Sequence, residues 1–192
     1  MIRRNALKTL LATSALPAAL TLRAQSTPDI AALLRLGGCV LMLRHAQTVT
    51  GIGDPPNFRL DQCMTQRNLS NEGRDQSKRI GQWFAARELL ATSVQSSAWC
   101  RCKDTATLAF GRFDVLPALN STFDSHTHQT TQALALSKRL KDVQAGQFEV
   151  WVTHQVNITA MTGEVPAMGE AVVVRLGPIS APWQVLARST FT

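Results

Sequence analysis

Gly37-Gly38-Cys39-Val40-Leu41-Met42-Leu43-Arg44-His45 is the stretch that decides the fold. A continuous apolar run, bounded by glycines on one side and a charged pair on the other, is the pattern of a strand buried on both faces of a parallel sheet. A strand with one wet face would alternate instead. The run therefore reads as the central strand. The pattern returns at Val150-Trp151-Val152-Thr153-His154, again apolar and again ending at a histidine. In open α/β sheets ligands bind in the crevice beyond the carboxyl ends of the strands. If the two strands are neighbours, both imidazoles stand at one rim.

Helical periodicity fills the intervals. Pro28 to Leu36 reads as a short helical lead-in ended by Gly37-Gly38. From Ser70 to Leu90, Ile80, Trp83 and Phe84 recur at helical spacing, with Arg74, Lys78, Arg79 and Arg87 on the solvated positions and Ser70 as N-cap. A strand near Ser93–Ser96, a helix from Trp99 to Phe110 and a strand near Phe113–Leu116 follow. A helix from Thr130 to Leu140 sets Ala133, Leu134, Leu136 and Leu140 on one side, and Gln155 to Met161 continues as a helix after His154. Gly169–Leu176 and Trp183–Leu186 are the last strands, joined by a turn at Gly177-Pro178. Strands alternating with helices imply an α/β sandwich. Gly51 to Arg67, with Pro55-Pro56, is an irregular loop over the end of the central strand, where loops shape specificity.

The 192 residues suffice for one domain with a sizeable core. Residues 1–24 read as an export signal and 25–192 as the catalytic domain. Arg3, Arg4 and Lys8 precede an uncharged apolar run from Thr9 to Leu22, with small residues near a cut after Ala24. The run is shorter than the roughly 20 apolar residues a membrane span needs and contains Pro17, so no stable membrane insertion is expected once the signal is removed. The mature chain is expected in the periplasm or outside the cell, with Arg3-Arg4 resembling a degenerate twin-arginine signal. Removing Arg3, Arg4, Lys8 and Arg23, and no acid, lowers the formal charge from +7 to +3. That suits an anionic small molecule, and no basic block with interleaved aromatics marks a nucleic-acid partner. Oligomeric state stays open.

Four cysteines in an exported chain form up to two disulfides: Cys39, Cys63, Cys100 and Cys102 allow three complete pairings, which sequence does not separate. Cys39, inside the apolar strand, also reads as a buried thiol. Cys100 and Cys102 have no second pair at zinc-like spacing, so no metal is expected there.

Arg44 beside His45 offers a planar fork suited to two phosphate oxygens. Arg101 sits at a strand-to-helix turn, where free backbone N–H groups and the helix dipole also favour an anion. Two arginines and two histidines make a compact oxyanion-binding set.

These segments resemble the histidine phosphatase superfamily, also called phosphoglycerate mutase-like, in its phosphatase branch. Arg44-His45-Ala46 resembles the Arg-His-Gly signature, with Ala46 where glycine is commonest. Leu69-Ser70-Asn71-Glu72-Gly73 resembles the Leu-(Ser/Thr)-x-x-Gly segment. Ser97, Arg101, Thr105 and Ala106 match Ser-x-x-x-Arg-x-x-x-Thr-Ala, and Val152-Thr153-His154-Gln155 matches the second histidine strand, followed by Thr162-Gly163. The likeness spans about Cys39 to Leu176. Within the superfamily, the export signal, lead helix and cysteine-containing loop resemble the periplasmic lipopolysaccharide core heptose phosphate phosphatases.

The resemblance implies a three-layer α/β/α sandwich with a mostly parallel central sheet, and a phosphomonoesterase that needs neither metal nor cofactor. His45 would attack phosphorus and form a phosphohistidine that water hydrolyses. Arg44, Arg101 and His154 would hold the phosphate oxygens. A leaving alkoxide needs a proton, and in the resembling proteins the acid follows the third strand, which makes Asp124 the candidate here. The substrate expected is a small phosphorylated ester, a sugar or lipid headgroup phosphate, chosen by the loop 47–67 and the segment 121–131. The alternatives are a phosphohistidine phosphatase and a non-catalytic phosphate-binding module.

Overall fold

A computed structural model describes residues 29–51, 53–123, 128–178 and 182–191. The segment read as an export signal and Asp124 lie outside the described residues. A six-stranded sheet runs in the order β3-β2-β4-β1-β5-β6, formed by β1 (Cys39–Arg44), β2 (Ser93–Ser96), β3 (Asp114–Val115), β4 (Phe148–Thr153), β5 (Glu170–Leu176) and β6 (Trp183–Thr190). The pairings β2·β3, β2·β4 and β1·β4 are parallel, and β1·β5 and β5·β6 are antiparallel. The sheet is thus mostly parallel, with an antiparallel edge, and β1 lies inside it with a strand on either side.

Burial of β1 on both faces follows from the two layers that cover it. On one face Cys39, Leu41 and Leu43 pack with residues of α1 (Ile30–Leu36), α2 (Asn71–Ala85) and α3 (Cys100–Phe110), among them Leu34, Ile80, Phe84 and Ala106. On the other, Val40 and Met42 meet Leu136 and Leu140 of α4 (Gln129–Lys141) and Ile158 of α5 (Gln155–Thr162). The alternation of side chains along the strand separates the two sets. This is the three-layer sandwich.

Two helix readings are corrected. α2 ends at Ala85, not Leu90. Glu88 takes a positive φ of 54°, and the amide of Leu89 turns back to the carbonyl of Phe84, which tucks Leu89 into the core. On α4, Leu136 and Leu140 are buried but Leu134 is 68% exposed, because two residues along a helix is more than half a turn.

The segment Leu69 to Gly73 has a packing reason. Ser70 caps α2, its hydroxyl accepting from the amide of Gly73 at 3.1 Å, while its own amide donates to the carbonyl of Gln47 at 3.0 Å. That carbonyl lies so close to α2 that a β-carbon on Gly73 would stand 1.9 Å from its oxygen. The helix start is thereby seated directly on the chain leaving His45. Gly73→Ala is expected to destabilise the fold by about 1–3 kcal/mol, the usual range for overpacking. Urea unfolding monitored by tryptophan fluorescence would read the shift, and an unchanged midpoint would refute the close approach.

Candidate active site

Parallel pairing of β1 with β4 aligns Arg44 with Thr153, and the amide of His45 donates to the carbonyl of Thr153 at 3.0 Å. Each histidine is thus the first residue beyond its strand. Their ring centroids lie 5.5 Å apart, at the carboxyl rim. His45, His154, Arg44 and Arg101 all line one cavity of about 350 Å³. The four come from three separate segments of the chain.

The tautomer of His45 is set by its neighbour. Nδ1 lies 2.9 Å from the carbonyl of Ala46. A carbonyl can only accept, so Nδ1 carries the proton and Nε2 keeps its lone pair. Burial, then the charge of Arg101, hold this imidazole neutral, pulling it down to about 3 with help from Arg44 and Arg67 and against the upward effect of the Ala46 carbonyl. Thr105 fixes the backbone behind it: its hydroxyl accepts from the amide of Ala46 at 3.0 Å and donates to the carbonyl of Arg101 at 2.7 Å. One threonine thereby couples the strand end carrying His45 to the helix carrying Arg101.

His154 is assigned by the same logic. Arg101 Nη2, a donor only, lies 3.4 Å from His154 Nδ1. The ring proton is therefore on Nε2, 2.8 Å from the hydroxyl of Ser97, which donates onward to Asn120 Oδ1 at 3.3 Å. Burial first, then His45 and the three arginines, keep His154 well below the ordinary histidine range. Cys102 packs against this ring, its Sγ 3.5 Å from Nε2. Burial pushes its thiol up to about 12, so it fills space and is no nucleophile.

Two site residues were missed by sequence reasoning. Asp54 and Arg67, both in the loop read as a specificity element, line the same cavity. Asp54 is paired with Arg101 Nη1 at 2.8 and 3.0 Å, and the side chains of acid and base are 9% and 5% exposed. It also accepts from the indole of Trp99 at 3.1 Å and from the amide of Arg67 at 2.9 Å. Cys63 and Cys100 form a disulfide that ties the loop to the first residue of α3, and Cys39 and Cys102 stay free and buried. An Asp-Pro-Pro turn carries no local mark of such a role.

The N-terminus of α3 also differs from its reading as a set of free amides. The amides of Ala98, Trp99 and Cys100 are taken by Asn120, Ser97 and Gln66. The guanidinium groups therefore present the positive charge. Arg44 Nη1 donates to Gln155 Oε1 and the carbonyl of Pro166 at 2.7 and 2.8 Å. The Nε atoms of Arg44, Arg67 and Arg101 are buried without a partner among the described residues. Such donors cost about 1–3 kcal/mol each unless met, and the oxygens of a bound anion would meet them.

No family model and no curated protein matches the sequence. Solved structures share its fold. The protein histidine phosphatase SixA complexed with tungstate superimposes with a TM-score of 0.52 at 17% identity, covering 79% of this chain and 96% of that one. A mycobacterial glucosyl-3-phosphoglycerate phosphatase complexed with VO3 gives 0.55 at 16%, covering 78% and 97%. A mutant phosphoserine phosphatase from Entamoeba histolytica in complex with phosphoserine gives 0.56 at 11%, covering 80% and 98%. The fold is that of the phosphoglycerate mutase-like histidine phosphatases.

Folding buries imidazoles in the neutral form, and stability should depend on pH accordingly. The unfolded chain takes up a proton at His45 near 6.5, whereas the folded chain does so only near 3. The contribution is complete above 6.5 and is lost as pH falls toward 3, at up to about 1.4 kcal/mol per pH unit. Urea midpoints measured between pH 7 and pH 4 should fall steeply, and less so in His45→Asn. Equal slopes in both proteins would contradict the assignment.

Proposed function

We propose that the chain is a phosphomonoesterase acting through a phosphohistidine on His45. The observation that carries this reading is the nucleophile itself: a neutral imidazole with Nδ1–H given to the Ala46 carbonyl, in a cavity walled by three arginines. Its Nε2 lone pair needs no base to release it. Among the described residues lining this cavity, three guanidiniums against one carboxylate, that of Asp54, leave two net positive charges around two neutral rings, the complement of a phosphate ester dianion. Support also comes from solved proteins of this fold, among which the three described above are phosphatases obtained with tungstate, VO3 or phosphoserine.

In the reaction His45 displaces the ester oxygen, and water then releases phosphate. Arg44, Arg101 and His154 hold the oxygens over which negative charge spreads. No step calls on a cofactor. The substrate class is a small phosphorylated ester, a sugar or lipid headgroup phosphate, whose organic part meets the wall formed by Ser121 and the 56%-exposed Phe123. Residues 1–24 act as an export signal, which makes the periplasm or cell exterior the site of action, and residues 25–192 form the catalytic domain.

Hydrolysis of p-nitrophenyl phosphate between pH 4 and 8, with chelator present, tests the reading. The wild-type chain should turn over and form an acid-labile phosphoenzyme, and His45→Ala should lose at least about 10³-fold in kcat. A folded wild-type protein that binds phosphate but neither turns over nor labels would be a binding module instead.

A further inference from the structure

We infer that Arg67 binds the substrate's phosphate and makes the site select a dianion over a monoanion, a role that rests on the phosphatase reading above. Arg44 and Arg101 are the guanidiniums of the strand and helix motifs, but Arg101 already has a counter-ion. Its Nη1 is paired with both oxygens of Asp54, at 2.8 and 3.0 Å, in a buried contact. With both imidazoles held neutral, Arg44, Arg101 and Asp54 together amount to one net positive charge. A phosphate monoester at neutral pH carries about −1.5 to −2. Arg67 lines the same cavity and supplies the second positive charge.

The geometry of Arg67 suits that role. Its Nη1 donates to the carbonyl of Gly51, and its Nε is buried without a partner among the described residues. The held nitrogen fixes the plane of the guanidinium, and the edge that carries Nε is left to a ligand, in the forked manner by which arginine takes two oxygens. The backbone is pinned on both sides. Its amide donates to Asp54 Oδ1 at 2.9 Å, Gln66 Oε1 accepts from the Cys100 amide at 2.9 Å, and the carbonyl of Asn68 accepts from the Val49 amide at 3.0 Å. The Cys63–Cys100 disulfide ties the same stretch to α3, support that keeps a loop-borne group in place. Arg67 is also the outermost of the three guanidiniums. Its charge acts on each imidazole less than that of Arg101 or Arg44, and with Gly51 and Met168 it borders a second, open hollow beside the cavity. An arginine set apart from the nucleophile meets charge that the ester carries before reaction. It therefore holds substrate and transition state alike, which lowers KM more than it raises kcat.

The rival role for Arg67 is a brace that only holds the loop through Gly51, and the charge of the ligand separates the two. Sulfate and methanesulfonate are tetrahedral anions, one doubly and one singly charged, and neither titrates near neutral pH. Their binding at pH 7 and constant ionic strength can be followed by tryptophan fluorescence, since Trp99 is part of the cavity wall. The wild-type chain should prefer sulfate. Arg67→Gln should weaken sulfate about 10–100-fold, as expected for a lost hydrogen bond to a charged group, and methanesulfonate within about threefold. KM for p-nitrophenyl phosphate should rise about as much as sulfate weakens, with kcat within about threefold. Arg67→Lys, which keeps the charge but not the fork, should retain the preference for sulfate while weakening both anions. Retained methanesulfonate binding shows that the glutamine variant folds. Equal losses of both anions in Arg67→Gln, no loss of either, or a preference abolished in Arg67→Lys would overturn the assignment. Binding is read without turnover, so the two readings fail separately. A wild-type protein with this Arg67-dependent preference that neither hydrolyses p-nitrophenyl phosphate nor forms a phosphoenzyme would lose the phosphatase reading and keep the dianion-selective site.

Discussion

The backbone hydrogen bond from His45 to Thr153 closes the parallel ladder between β1 and β4, and every other feature of the site hangs from that register. Shifting β1 by one residue against β4 would invert which of its side chains meet which helical layer, exposing the wrong set to each core. The register is therefore held by the whole apolar interior, from Cys39 opposite Phe148 to Arg44 opposite Thr153. Two histidines that sequence separates by more than a hundred residues become neighbours as a by-product of core packing. The sheet, not the site, supplies the energy that holds them there.

Around that fixed pair the molecule accepts an electrostatic penalty. Half-buried guanidiniums here lie close enough to other cations to be depressed: Arg44 is lowered by desolvation and by Arg67 and Arg101, and Arg67 by desolvation and Arg101. Both imidazoles give up their charge under the same field. A pocket in which cations repel and donors lack partners is costly until an oxyanion enters, and that cost is what makes anion binding favourable. Asp54 relieves part of it in the meantime through its pair with Arg101.

Covalent tethering explains how a loop can contribute to so tight an arrangement. The Cys63–Cys100 bridge spans 37 residues of chain, a closure that in the chain-entropy treatment is worth on the order of 4 kcal/mol. It joins the loop bearing Asp54 and Arg67 to the helix bearing Arg101. An oxidising compartment is the setting in which such a bridge persists.

The strand runs ending in His45 and His154, the cap at Ser70 and the spacing of Ser97, Arg101 and Thr105 were all legible in the sequence. Each is a local pattern enforced by local physics: side-chain periodicity, the unpaired amides of a helix start, and one turn of helix between Arg101 and Thr105. From these the fold class, the order of elements and four residues of the cavity wall followed. The pairing of Cys63 with Cys100, the engaged amides at the start of α3, and the places of Asp54 and Arg67 did not follow. An irregular loop has no period to read, and its side chains reach their partners only through contacts distant in sequence, Asp54 to Arg101 across 47 residues. Sequence by itself determined which residues could do chemistry at the strand ends, because burial patterns are written residue by residue. Only the tertiary structure decided that the carboxylate of Asp54 meets Arg101, because that depends on where a tethered loop comes to rest.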